Sequence, residues 1–257
     1  MDSLSNKKID SLFNNQLRQN AKTALKYTEI SLIKQEELEN KVESCTIFFV
    51  MRHAPTKNDH FVHGIELDTG ISPAHNEKLR SFMQLKISIP FEKLYSGNSL
   101  RASETADLLG ESKCVRLHYF DEQKLGHLEG MKKTDAFKHQ SFEKMSKCID
   151  YRIPAGANKK VGETGREVID RILTGVSKIV SENAGKTVGI CMSQCAINWL
   201  YRYLSNNFET IIHVKNYDII LFKYYHTTNT FKLLTPNGSV SAKKAIKIYN
   251  QEILDKQ

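Results

Sequence analysis

Short apolar runs alternate with stretches of helical periodicity from Thr46 onward. Residues 46–51 are mostly β-branched or aromatic, carry no charge and are soon followed by a proline, which predicts a short buried strand. Further apolar runs of strand length lie at 93–96, 186–192, 217–222 and 230–234. Helical periodicity covers 99–109, 168–180 and 194–204. This alternation predicts an α/β fold, a three-layer sandwich with a central mostly parallel sheet and helices on both faces.

The chain divides by composition into an N-terminal extension, a main domain and a tail. Residues 1–45 are polar, and their apolar side chains recur at helical spacing: Ile9, Phe13, Leu17, Ala21 and Leu25. We predict a helical extension, with three roles open: a packed appendage, a dimerisation arm or a localisation element. The main domain is predicted over 46–240, with an insertion at about 131–161 where apolar periodicity is weak. Residues 241–257 are predicted to form a helical tail.

The net charge of +8 favours anionic partners. Phosphorylated small molecules, phosphoproteins, nucleic acid and acidic membranes all have the required charge. The sequence has no dense Lys/Arg run and no nucleic-acid motif, so we do not expect nucleic-acid binding. The expected partner is therefore an anionic phosphorylated substrate, either a small molecule or a phosphoprotein.

The five cysteines form an odd set without Cys-x-x-Cys spacing. We therefore expect neither structural disulfides nor a zinc site. The first residues are polar rather than a conventional secretory signal, and no apolar run is long enough for a transmembrane segment. A reducing, cytoplasmic compartment is the expected location.

An arginine and a histidine follow the first predicted strand directly, at Arg52 and His53. A guanidinium group can bind phosphate oxygens with two parallel hydrogen bonds, and a neutral imidazole can attack phosphorus. The pair therefore suits phosphoryl chemistry. Arg-His is a common dipeptide, so alone it is weak evidence, and the segments downstream must support it.

Further motifs follow this pair in a fixed order. They are Arg52-His53-Ala54-Pro55-Thr56, Asn58, Gly64, Asp68, Ile71-Ser72, the stretches Ser96–Ala106 and Glu122–Gly130, Gly162-Glu163-Thr164 with Val168 and Arg171, and Asn216. On these motifs the chain resembles the histidine phosphatase superfamily, the phosphoglycerate-mutase-like group, and within it the phosphatase branch. The resemblance covers roughly residues 46–222.

The resemblance implies a role for each matching residue. His53 is the implied nucleophile, which forms a phosphohistidine, and Glu122 is the implied general acid and later general base. Arg52, Arg101 and Asn58 are the implied phosphate ligands. Glu129 is expected to be structural, and Glu163 to cap a helix or orient pocket residues. The family uses no metal, and no cofactor is expected.

One segment departs from the family pattern. Where the family has Ser-His-Gly, this chain has Ser193-Gln194-Cys195, and His75 stands where a glycine is usual. Gln194 keeps a neutral N–H donor for the phosphate but cannot become cationic, and losing one such stabiliser costs roughly 10²–10³ in rate. Three explanations fit: a natural pseudoenzyme, an active enzyme with an altered pocket, or a change introduced to trap a ligand. The double change favours natural divergence.

Cys195 allows two interpretations. A thiolate at a helix N-terminus can act as a nucleophile. Cysteine-phosphatase chemistry, however, needs a loop of backbone amides that ends in arginine, and residues 196–199 do not supply one. The alternative is an inert packing residue, which we prefer.

Two functions follow. The first is a phosphomonoester hydrolase that works through phosphohistidine and is weakened by Gln194, with a mutase disfavoured because 131–161 lacks paired arginines. The second is an inactive phospho-ligand-binding or interaction module, a pseudophosphatase. The lysines of the insertion form either a lid that attracts an anionic substrate or a solvated surface. Homodimer formation stays open.

Overall fold

The structure is a computed structural model that describes residues 44–57, 60–64, 69–72, 76–156 and 159–254. Within these ranges the chain forms a single six-stranded sheet with helices packed against it. The predicted N-terminal extension lies outside the described residues, apart from its last two positions.

The sheet contains three parallel and two antiparallel strand pairings. Its strands are β1 (Cys45–Arg52), β2 (Phe91–Ser96), β3 (Val115–Arg116), β4 (Thr187–Met192), β5 (Ile219–Tyr225) and β6 (Thr230–Leu233). The order across the sheet is β3-β2-β4-β1-β5-β6. β1, β2, β3 and β4 run parallel, whereas β5 and β6 close one side in antiparallel pairs. The predicted mostly parallel sheet is therefore confirmed.

Seven α-helices are described. They are α1 (Glu77–Ser88), α2 (Leu100–Asp107), α3 (Lys133–Ala136), α4 (Gln140–Lys147), α5 (Gly165–Glu182), α6 (Gln194–Leu204) and α7 (Ala242–Leu254). The start of α5 is fixed by a capping box, in which Thr164 accepts from the backbone N–H of Glu167 and the Glu167 carboxylate accepts from that of Thr164. None of the described helices combines the length and the apolar character needed to span a lipid bilayer.

Alternating side chains of β1 separate the two layers of the core. Phe48 and Val50 point into an apolar cluster with α5 and α6, while Phe49 and Met51 point into a second cluster with α1 and α7. Successive strand residues face opposite sides of a sheet, so a strand that is apolar at every position must be covered on both faces. The predicted α/β three-layer arrangement is confirmed.

Outside the predicted insertion, one α-helix and one strand were not predicted from the sequence. α1 buries only Phe82 and Leu85 along its length, so its apolar periodicity is weak. β3 has two residues, both exposed, and it exists because Val115 and Arg116 pair with Tyr95 and Ser96 of β2. Neither element carries the apolar pattern on which a sequence prediction depends.

The segment predicted as an insertion carries α3 and α4, and it shares a small apolar cluster with Val62, Leu125 and Leu128. Its base is tied to the main domain at Gly126, which has a φ of +53°. A Cβ atom there would lie 2.2 Å from the carbonyl oxygen of Pro154, so a glycine is required. The close approach of Gly126 to Pro154 places the insertion beside residues 122–126, close to the predicted general acid.

Candidate active site

The candidate residues meet at the edge of the sheet where the parallel strands end. The His53 N–H donates to the carbonyl oxygen of Met192 at 3.1 Å, and the Gly97 N–H donates to that of Cys191 at 3.3 Å. The ends of β1, β2 and β4 are thus joined side by side. Open α/β sheets build their sites at this edge.

The imidazole of His53 is buried and neutral. Its Nδ1 lies 2.7 Å from the carbonyl oxygen of Ala54, and because a carbonyl oxygen only accepts, Nδ1 carries the proton. Burial holds the pKa of His53 well below its ordinary value, and the guanidinium groups of Arg101 and Arg52 lower the pKa further. Nε2 therefore keeps a lone pair at neutral pH, which is the form a nucleophile needs.

The backbone of His53 is fixed from two sides. Asn216 donates from its side-chain amide to the carbonyl oxygen of His53 at 2.7 Å. The N–H of Ala54 donates to Thr105 Oγ1 at 2.8 Å, and this hydroxyl donates to the carbonyl oxygen of Arg101 at 2.6 Å. The histidine and α2 are therefore held in one hydrogen-bonded unit.

Arg101 is the largest fully buried side chain of the described residues. Its Nε donates to Ser193 Oγ at 3.2 Å, and its Nη2 donates to the carbonyl oxygen of Gly64 at 3.0 Å. These contacts fix the plane of the guanidinium group between β4 and residues 60–64. A buried guanidinium group attracts an anion strongly.

Glu122 lies buried against the first turn of α6. Its Oε1 accepts from the N–H of Gln123 at 2.9 Å and of Ala196 at 3.0 Å, and its Oε2 accepts from the N–H of Cys195 at 3.3 Å. Burial raises the pKa of Glu122, although Arg101 and these N–H donors act against the rise. Ser193, the N-cap residue, makes no side-chain cap contact, and Glu122 fills that position instead.

Arg171 fixes the backbone that carries Glu122. Its guanidinium donates to the carbonyl oxygens of Tyr119 at 2.9 Å, Asp121 at 2.8 Å and Glu122 at 3.1 Å. The same group forms a two-pronged ion pair with Glu163, both distances being 3.1 Å. Glu163 thus orients pocket residues, one of its two expected roles, whereas the helix that follows is capped by the residue after it.

Arg52 and Gln194 contact each other across the site. Nη1 of Arg52 donates to Gln194 Oε1 at 2.8 Å and also to the carbonyl oxygen of Val214. The amide nitrogen of Gln194 donates to the carbonyl oxygen of Ile212 at 3.3 Å. The sequence predicted that the Gln194 amide donates a hydrogen bond to phosphate. In the structure its oxygen accepts from Arg52 and its nitrogen donates to the carbonyl oxygen of Ile212.

The sequence of the chain also matches the profile of a known protein family. The profile of the histidine phosphatase superfamily, branch 1, matches residues 48–237. The chain belongs to the histidine phosphatase superfamily. The family predicted from the motifs is therefore confirmed.

Solved structures of this superfamily share the fold. The YhfR protein of Bacillus stearothermophilus is 22% identical, with a TM-score of 0.61 over 77% of this chain and 98% of that chain. The mycobacterial glucosyl-3-phosphoglycerate phosphatase is 17% identical, with a TM-score of 0.59 over 74% and 97%. A phosphoserine phosphatase mutant of Entamoeba histolytica, in complex with phosphoserine, is 17% identical, with a TM-score of 0.60 over 73% and 94%. No curated protein sequence matches the chain.

Cys195 packs against the small apolar cluster under the insertion. Burial raises the pKa of its thiol well above the ordinary value, and the nearby Glu122 carboxylate raises the pKa further. A thiol in this environment stays protonated at neutral pH and is a poor nucleophile. The surroundings therefore favour the packing interpretation of Cys195.

The structure brings together five of the six candidate residues: Arg52, His53, Arg101, Glu122 and Gln194. The sixth, Asn58, lies outside the described residues, as does His75. The sequence did not predict that the Ser193 hydroxyl accepts a hydrogen bond from Arg101. It also did not predict the backbone carbonyls of Val214 and Ile212, which accept from Arg52 and Gln194. Ser193 belongs to the Ser193-Gln194-Cys195 segment, so the sequence contained a signal for it. Every residue has a backbone carbonyl, however, so the sequence does not indicate which carbonyls contact the site residues. Among the described residues, no three His, Cys, Asp or Glu side chains are grouped so as to hold a metal ion.

Proposed function

We propose that the chain is a phosphomonoester hydrolase that works through a phosphohistidine on His53. The observation that carries this proposal is the state of His53: it is buried, neutral and protonated on Nδ1, and it lies close enough to Arg52 and Arg101 for both cations to lower its pKa. Few structural roles need a neutral imidazole beside two cations, whereas attack on a dianionic phosphate needs both.

The proposed reaction has two steps. In the first, Nε2 of His53 attacks phosphorus, the bond to the leaving oxygen breaks, and Glu122 donates its proton to that oxygen. In the second, Glu122 takes a proton from water, which attacks the phosphohistidine and releases inorganic phosphate and free His53. Arg52 and Arg101 bind the phosphoryl oxygens through both steps. The raised pKa of Glu122 supports its role as the acid.

The proposed substrate is a phosphorylated small molecule or a phosphoprotein. The net charge of +8 and the two guanidinium groups support an anionic substrate. The solved neighbours named above include a glucosyl-3-phosphoglycerate phosphatase and a phosphoserine phosphatase in complex with phosphoserine, which agrees with a phosphorylated substrate.

A second candidate function is a phospho-ligand-binding module without turnover, a pseudophosphatase. The observation that favours it is the amide of Gln194, whose oxygen accepts from Arg52 where the family has a second pocket histidine. A glutamine cannot supply the extra positive charge that stabilises the transition state. Ligand binding does not require this stabilisation of the transition state, so Arg52 and Arg101 can bind a phosphate group whether or not the protein turns it over.

Phosphate release from an aryl phosphate separates the two functions. The hydrolase predicts release by the unmodified protein that His53→Ala abolishes, together with an acid-labile phosphate label on the unmodified protein alone. The binding module predicts no release by either protein, while vanadate raises the melting temperature of the unmodified one. Release that persists at full rate in His53→Ala contradicts the proposed mechanism.

A further inference from the structure

A groove of about 480 Å³ lies between α1 and α7, on the face of the sheet opposite α5 and α6. α1 ends just before the start of β2, so it begins at the opposite edge, where the candidate site lies. α7 begins just after Val240, which pairs with Ile219 beside the end of β1. Both helices, and the groove between them, therefore start at the edge that carries the site.

Three cations line this groove: Arg80 from α1, and Lys243 and Lys247 from α7. All three are exposed, and none forms an ion pair with a carboxylate of the described residues. Among the described residues of the lining, Glu77 is the one that is acidic. The groove thus carries an excess of positive charge that no described neighbour neutralises.

The length of the groove suits an extended peptide. Its lining runs along α1 from Glu77 to Ser88, and at 1.5 Å per residue this spans about 16 Å. An extended chain covers that distance in about five residues. Gln84 and Ser88 offer side-chain hydrogen bonds for a peptide backbone, and Ile246 offers an apolar contact.

We propose that the groove between α1 and α7 binds an acidic segment of a protein partner. Because the groove starts at the edge of the sheet that carries the candidate site, we further propose that this partner is a phosphoprotein substrate, a step that rests on the proposed phosphatase function. The acidic segment would hold the partner in the groove while its phosphorylated side chain enters the site. Charge complementarity of this kind raises association rates and specificity.

Other anions fit the groove less well. Single-stranded nucleic acid is bound by aromatic side chains on which bases stack, and none of the described residues that line the groove is aromatic. A membrane surface is flat, whereas these cations line a concavity. A lone phosphate ion needs its donors in one cluster, but the lining cations are spread over two helices.

The binding test uses a fluorescent hexaglutamate peptide and the full chain at about 0.15 M salt. We expect Lys247→Glu to weaken binding roughly fivefold or more, since it reverses a charge inside the groove. Lys244→Glu is the matched control, because Lys244 is an exposed lysine of the same helix that does not line the groove. We expect less than a twofold change there. Equal weakening by both variants, no binding of hexaglutamate, or tighter binding of a hexathymidine oligonucleotide would overturn the proposal.

A separate experiment tests whether the partner bound in the groove is a substrate. Lys247→Glu is expected to raise KM about fivefold for a phosphopeptide with an acidic run and to leave hydrolysis of a small aryl phosphate unchanged. Binding of hexaglutamate without this change in KM overturns the substrate role and leaves only a docking groove. If no protein releases phosphate from any compound, the phosphatase function and the substrate role both fail, and the hexaglutamate measurement alone decides the groove.

Discussion

Arg52 donates a hydrogen bond of 2.8 Å to the amide oxygen of Gln194, across from the end of β1 to the first residue of α6. Both side chains are half-buried, and Arg52 is also held by the Val214 carbonyl. Gln194 therefore positions the arginine instead of adding a cation to the site. An amide is neutral, so Gln194 brings no positive charge of its own to this position.

We expect Gln194→His to raise the rate of phosphate release roughly 10²–10³-fold, because it restores a group that can stabilise charge in the transition state. The measurement is kcat with an aryl phosphate. Gln194→Ala is the control, since it removes the acceptor for Arg52 without adding a donor, and its rate should not rise. An increase in both variants would show that relief of the Arg52 contact is responsible, and no increase in either would favour the binding module.

Glu122→Gln tests the general acid. The glutamine oxygen can take the place of Oε1, which accepts from the N–H groups of Gln123 and Ala196, so α6 keeps part of its cap, and only the contact of Oε2 with the N–H of Cys195 is lost. We expect turnover of an alkyl phosphate to fall about 10²-fold or more, since its leaving group needs a proton. Turnover of p-nitrophenyl phosphate, which has an activated leaving group, should fall less. Equal loss for the two substrates would remove Glu122 from the acid role.

Arg171→Lys tests the support of the Glu122 backbone. The Arg171–Glu163 pair is only 15% and 14% exposed, and lysine cannot reproduce its several directed hydrogen bonds. We expect the free energy of unfolding to fall by about 2 kcal/mol and kcat to fall with it. Arg166→Lys is the matched control on the same helix, because its partner Asp150 is 58% exposed, and it should cost less than about 1 kcal/mol. Similar losses of stability in both variants would show that the Arg171–Glu163 pair contributes no more than an exposed ion pair.

The neutral state of His53 predicts a loss of stability in acid. Its folded pKa lies below the unfolded value near 6.5, so below pH 6.5 the unfolded chain binds a proton that the folded chain does not. Stability should therefore fall with decreasing pH by up to about 1.4 kcal/mol per pH unit from this residue alone, until the folded pKa is reached. Urea unfolding at pH 7.5, 6.5 and 5.5 measures the slope. His53→Gln should be less pH-dependent, and an unchanged slope would contradict a buried neutral His53. The comparison also removes the contribution of His226, whose pKa is lowered as well.

Most elements of the fold could be predicted from the sequence. The runs that became β1 and β4 are apolar at nearly every position because both faces are covered, and α6 was predicted with its observed bounds. Outside the insertion, α1 was missed because its apolar periodicity is weak, and β3 was missed because it exists only through pairing with β2. The family motifs also located the five candidate residues that the structure brings together, although their chemical roles stay predictions.

The sequence by itself determined which residues stand at the ends of strands, and so which side chains could meet at one edge of the sheet. Only the tertiary structure decided how they meet. Glu122 caps a helix that begins 72 positions later, and Gln194 presents its oxygen to Arg52, because segments distant in the chain supply the hydrogen-bond partners. The two ends of an amide are nearly the same in shape, and the direction it points is set by the donors and acceptors around it. Those neighbours are assembled by folding and are not adjacent in sequence.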